Sequence, residues 1–178
     1  MKKWFGSVGA VFGLLLLVTS VRGQAVCTAA KVTHLQLGGG VLYLHSDYGA
    51  KDYGVTGWAD ANLNNFIGVE AEVHLGTIES PSDYGENSYL AGPRLMYRSK
   101  NGTAYGKAMV GKGNFIRDTP GHTLNQQYNI YALGVGLEHR ISDSFSWRVV
   151  DAEYQYWKAF KPHGLSPYII STGVMWNF

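Results

Sequence analysis

Glu70, Glu72 and His74 stand two residues apart, Asp151 and Glu153 likewise, and Arg94 and Arg98 are four apart. In an extended chain, even spacing puts side chains on one face. These groups, with Lys107, Glu138 and Arg140, converge if their strands line up. Five carboxylates (Glu70, Glu72, Glu138, Asp151, Glu153) would then face four permanent cations (Arg94, Arg98, Lys107, Arg140), with His74 among them. Three chemistries are open to such a set. Ion pairs that satisfy one another fill an interior and hold it shut. Pairs that exchange partners open a narrow path for ions or very small solutes. Neighbouring carboxylates can divide acid and base roles, although an enclosed interior gives a substrate poor access. The static network is the expectation, and the gated path is the runner-up.

Other motifs carry less. Gly106-Lys-Ala-Met-Val-Gly-Lys-Gly113 nearly spells a phosphate-binding loop, but it lacks the closing Ser or Thr and no helix follows. Gly38-Gly39-Gly40 reads as close strand approach, not a phosphate cradle. Asn101-Gly-Thr103 matches a glycosylation sequon yet reads better as a tight turn. The six histidines form no short ligand motif with a cysteine or a second histidine. No metal and no cofactor are expected.

The elements that must position the charges have a period of two. Alternating segments run over 33–45, 53–63, 66–76, 87–98, 103–115, 128–140, 146–157 and 167–178. The third is the clearest, with Val69, Ala71, Val73 and Leu75 alternating with Glu70, Glu72 and His74. In the last, Tyr168, Ile170, Val174, Trp176 and Phe178 share one apolar face. Segments of about ten alternating residues have the length of tilted membrane strands. An even number of them lets an antiparallel meander close on itself, so an all-β, eight-stranded, up-and-down transmembrane barrel is expected. Short connections follow the second, fourth and sixth segments. Longer polar ones, 46–52, 77–86, 116–127 and 158–166, follow the others, the asymmetry of an outer-membrane barrel. Two residues strain this register. Pro93 cannot donate to a ladder and suggests a bulge. Arg148 falls on the apolar face, where it either snorkels to headgroups or signals a slip of one residue.

Alternation does not say which face points inward, since a soluble barrel has the same period with opposite polarity. The N-terminus, the terminal Phe178 and the tyrosines near the segment ends favour the membrane polarity. Lys2 and Lys3 precede an apolar run over 8–18, and Gly23 and Ala25 are spaced as in a signal-peptidase site. Residues 1–25 read as a signal peptide cleaved near Ala25, with Gly23 as second choice. Val26 disfavours lipidation at Cys27. Residues 26–178 form one barrel domain. Without the three cations of the signal peptide, 12 Lys and Arg face 13 Asp and Glu, and nothing in that balance suggests nucleic-acid binding.

The order of motifs resembles that of small eight-stranded outer-membrane barrels, the OmpA/OmpX-like barrel domains. The resemblance rests on Gly68-Val-Glu-Ala-Glu72, Tyr89-Leu-Ala-Gly-Pro-Arg94, Asp151-Ala-Glu-Tyr-Gln-Tyr-Trp157 and Leu165-Ser-Pro-Tyr168 through Ser171-Thr-Gly-Val174. It covers nearly all of 33–178. It implies a bacterial outer-membrane location, contact with outer-membrane lipid, and handling by the barrel-assembly machinery through the C-terminal aromatic strand. It implies no single activity. A structural or interaction role, with an extracellular ligand at the four long loops, is the expectation. Some barrels of this size are lipid A-modifying hydrolases using His, Ser and an acid; His45 and Ser46 are the candidates here, with no third partner apparent.

Overall fold

The computed structural model describes residues 35–47, 51–76, 84–100, 102–119, 122–160 and 164–178. The signal segment, Cys27, Asn101 and the apices of the long loops lie outside them. Eight antiparallel strands form a closed barrel: β1 (Leu35–His45), β2 (Lys51–Asn62), β3 (Ile67–Gly76), β4 (Tyr84–Ser99), β5 (Gly102–Thr119), β6 (His122–Arg140), β7 (Phe145–Lys158) and β8 (Tyr168–Asn177). Each pairs with its sequence neighbour, and β1 closes on β8 from Gln36↔Asn177 to His45↔Tyr168. Closure leaves no backbone edge within the lipid, where an unpaired amide would be costly.

The period of two sets the polarity. Along β3 every second residue is buried, and the buried set is Gly68, Glu70, Glu72, His74 and Gly76. The exposed set is apolar: Leu133, Val135 and Leu137 on β6, and Val69 and Val73 on β3, face outward. Polar groups inside and aliphatic groups outside invert the soluble arrangement and suit a bilayer. Phe66, Tyr97, Phe145, Trp147, Trp176 and Phe178 ring the end with the short turns, and Tyr53, Tyr89, Tyr131, Tyr156 and Tyr168 ring the other. Ten residues rising about 3.4 Å each, tilted about 40°, climb about 26 Å, which matches an apolar band about 25 Å tall.

Two expectations change. The segment 116–127 is not a long loop: β5 and β6 stay paired as far as Thr119↔His122. Beyond the bilayer both faces meet water, so alternation disappears while the ladder continues. Pro93 makes no bulge, because β4 and β5 hold one register on either side of it, at Ala91↔Val110 and Arg94↔Lys107. The bulge lies in β7. The register shifts by one residue against β6 between Leu137↔Val150 and Glu138↔Arg148, and against β8 between Arg148 and Asp151. Val149 is the extra residue, so Arg148 shares the lumen face with Asp151 although the two are an odd number of positions apart.

Candidate functional site: a filled lumen

Eight strands enclose a space that side chains can fill, and here they fill it in layers. Nearest the short turns, Gln36 donates to Asn177 at 2.7 Å and Asn62 donates to Gln36 at 3.3 Å. Above them lies a charge network. The Arg148 guanidinium, 0% exposed, meets Glu70 at 2.9 Å, Glu72 at 3.0 Å, Asp60 at 3.1 Å and Glu138 at 3.4 Å. Arg94 meets Asp60 at 2.6 Å and Glu70 at 3.1 Å, and pairs with Glu138. Lys107 Nζ lies 2.6 Å from Glu72, 3.0 Å from Asp151 and 3.3 Å from both Glu70 and Glu153. The Tyr105 hydroxyl donates to Asp151. Both guanidinium groups stack on aromatic rings, Arg94 on Tyr105 at 3.8 Å and Arg148 on Trp58 at 4.1 Å.

Glycines make room for these large groups. A Cβ on Gly136 would sit 2.3 Å from the Tyr105 ring, and one on Gly134 would sit 2.5 Å from Lys107 Cε. The Trp58 ring occupies the space over Gly38 and Gly173 in the same way. The charges come from β2 to β7, while the lumen faces of β1 and β8 carry glycine, aliphatic and neutral polar residues.

Of the ten lumen residues expected from sequence, Glu70, Glu72, His74, Arg94, Lys107, Glu138, Asp151 and Glu153 are buried together. Arg98 is half-buried below the network, with Nη2 3.6 Å from the Met96 sulfur. Arg140 is a correction: it lies at the β6–β7 turn, exposed, and pairs with Asp143 at 2.9 Å. Its strand ends there, so it has no lumen to enter. Two central groups were missing from the sequence reading, and a third, Arg148, stood there only as one of two alternatives. Asp60 was visible, because Trp58, Asp60 and Asn62 alternate with Gly57, Ala59 and Ala61. Tyr105 stands two positions from Lys107. Arg148 was hidden by the bulge.

Above the network His74 Nδ1 lies 3.0 Å from Ser88 Oγ, and Gln155 donates to Glu153 at 2.8 Å. Glu72, His74 and Glu153 each bring a ligand atom within 4.8 Å of one another, as do Glu70, Glu72 and Asp151. The Lys107 ammonium already stands among these carboxylates and neutralises them as a metal would. The mouth is closed by an apolar layer of Leu90, Met109, Phe115, Ile130, Trp157, Phe160 and Leu165. The last two belong to the connection after β7. It turns back through Ala159 and Gly164, both at positive φ, and the Trp157 amide donates to the Leu165 carbonyl at 2.8 Å. His45 and Ser46, consecutive on an extended segment, point to opposite faces. The His45 ring lies 4.8 Å from that of Tyr168, and Ser46 donates inward to Glu86 at 2.6 Å. They do not form a nucleophile–base pair.

Comparison with solved structures returns barrels of this architecture. Neisserial surface protein A superposes with a TM-score of 0.63 at 16% identity, over 81% of this chain and 96% of that one. The attachment invasion locus protein Ail of Yersinia pestis gives 0.54 at 20% identity, over 81% and 96%. The N-terminal barrel domain of Pseudomonas aeruginosa OprF gives 0.55 at 15%, over 80% and 97%. No curated protein sequence matches the chain. The family model described as the outer membrane protein beta-barrel domain matches residues 12–178. With its apolar outer wall, aromatic rings and charged, filled lumen, this chain belongs to the outer membrane protein beta-barrel family, and it is an integral protein of the bacterial outer membrane.

Proposed function

We propose that the protein is a non-conducting, non-catalytic interaction protein, a rigid barrel that holds extracellular segments at the cell surface. The observation that carries this reading is the double closure of the lumen. The ion network is held by short, buried contacts, and the apolar layer from Phe115 to Leu165 covers it on the extracellular side. An ion entering from outside would have to cross this apolar layer, where the buried Glu86 beside Phe115 is already engaged by Ser46. The separation of His45 from Ser46 speaks against the lipid A hydrolase reading. The segments at 46–52, 77–86 and 158–166, with the paired tip of β5 and β6 within 116–127, are the contact surface, since rigid scaffolds place binding function on their extramembrane segments. Ail has been solved with the heparin analogue sucrose octasulfate, and an extracellular ligand is the corresponding expectation here. In this reading residues 1–25 are removed on export. The outward row of Tyr168, Ile170, Val174, Trp176 and Phe178 addresses the chain to the barrel-assembly machinery.

Reconstitution in planar bilayers tests the reading, with folding checked by faster gel migration of the unboiled sample. Wild-type protein should give no steady conductance above the bare bilayer. Conductance that disappears in Arg94→Ala or Glu138→Gln would install the gated channel in its place. A change in lipid A mass on overexpression would restore the hydrolase. Replacing 116–127 by a tight turn should abolish binding of expressing cells to their surface partner while leaving the barrel folded.

A further inference from the structure

The outer wall across β2 to β5 is concave. A groove of about 630 Å³ opens there. Its floor is one ladder row, Ala59↔Ala71↔Ala91, and Val110 on the next strand closes one side. The row above, on the extracellular side, runs Gly57↔Val73↔Tyr89↔Lys112↔Asn129↔Lys158. Lys112 lies ten residues above the start of β5, which at about 3.4 Å per residue and a tilt of about 40° sets it about 26 Å up, at the outer edge of the apolar band. Lys112 and Lys158 are both exposed, two strands apart, or roughly 10 Å at the usual spacing. Lys112 donates to Asn129 at 2.6 Å. Among the described residues neither lysine pairs with a carboxylate, and the row contains no acid.

We propose that this groove and its cationic rim bind a phosphorylated glycolipid of the outer leaflet, with an acyl chain along Ala59, Ala71 and Ala91 and phosphate held by Lys112, Lys158 and the Tyr89 hydroxyl. The groove lies within the lipid-facing band, so an acyl chain meets no polar group along its floor. Two ammonium groups at headgroup depth supply the charge complement of a phosphate-bearing lipid. A second copy of the chain is the poorer occupant. Two barrels packed side by side through this face would bring four lysines together with no acid between them.

Native mass spectrometry of the detergent-purified protein, titrated with bis-phosphorylated lipid A, tests this. One lipid should remain bound to the wild type. Each lysine near an anionic lipid surface strengthens binding roughly fivefold, so Lys112→Gln with Lys158→Gln should weaken retention roughly thirtyfold. Ala91→Trp fills the groove while leaving both rim lysines in place and should also release the lipid. All three positions face outward, and the unboiled gel shift reports folding of each variant. Equal retention by folded K112Q/K158Q, or equal binding of phosphatidylglycerol by the wild type, overturns the proposal. A dimer that persists without lipid and is lost in A91W would assign the groove to a second copy instead.

Discussion

Arg148→Met removes a charge while keeping most of the side-chain length, and it tests whether the lumen is held by its ions. In the native barrel the guanidinium contacts Glu70, Glu72, Asp60 and Glu138 between 2.9 and 3.4 Å and stacks on Trp58 at 4.1 Å. The six buried carboxylates of the network then face two permanent cations, Arg94 and Lys107, in place of three. Breaking a buried ion pair from one side costs about 3–5 kcal/mol, chiefly because the abandoned charge stays buried. The lost stacking falls within that figure. Guanidinium-induced unfolding in detergent micelles, followed by tryptophan fluorescence, should show a loss of about that size, close to a hundredfold or more in the folding equilibrium. Adding Glu70→Gln to the variant should recover part of the loss, giving a favourable coupling in the double-mutant cycle. Arg140→Met is the reference, since exposed pairs are worth less than about 1 kcal/mol. If Arg148→Met costs no more than Arg140→Met, the ions fill the lumen without stabilising it, and the argument from burial fails.

Other perturbations probe the remaining layers. Gly136→Ala places a Cβ 2.3 Å from the Tyr105 ring and should cost about 1–3 kcal/mol in the same unfolding assay. Gly106→Ala, whose nearest neighbour would be the Gly134 carbonyl at 3.8 Å, should be nearly silent. Leu133→Arg puts a charge on a lipid-facing position that is 67% exposed, and refolding into vesicles should weaken by about 2–4 kcal/mol. Deleting Val149 removes the bulge yet leaves Arg148 two positions from Asp151, so both stay on the lumen face. Stability should fall by less than about 1 kcal/mol, and a loss matching that of Arg148→Met would show that the bulge itself aims the guanidinium.

The barrel was legible because one constraint, the bilayer, imposes a strict alternation on every strand that crosses it. β3 and β8 could be read residue by residue for that reason. Where the constraint ends, legibility ends. The outer parts of β5 and β6 lost their alternation once both faces met water, and a paired hairpin read as a loop. Within the band, parity counting works until a residue is inserted. Counted back from Asp151, Arg148 falls on the lipid face, and only the ladder partners Glu138 and Gly173 reveal the slip. The group with the most ion contacts in the lumen was therefore the one that parity left between two readings, and the slip of one residue is the one the ladder shows. Arg140 failed for the opposite reason: its parity is correct, but the strand stops beside it. The apolar cap could not be foreseen, since Phe160 and Leu165 lie in a connection whose return depends on the left-handed turns at Ala159 and Gly164.

That the network draws on β2 to β7 alone bears on the order of assembly. Six consecutive strands carry every ion pair, and once they have curled so that Arg148 on β7 reaches Asp60 on β2, each charge has its partner before the first and last strands meet. Closure of β1 on β8 is then a zipper of backbone hydrogen bonds around the Trp58 ring, with no charge to strip of water at the final step. Substitutions in the network should slow the gathering of the sheet. A bulky residue at Gly38 or Gly173 should leave that sheet formed but unclosed, an intermediate with its salt bridges in place and its seam open.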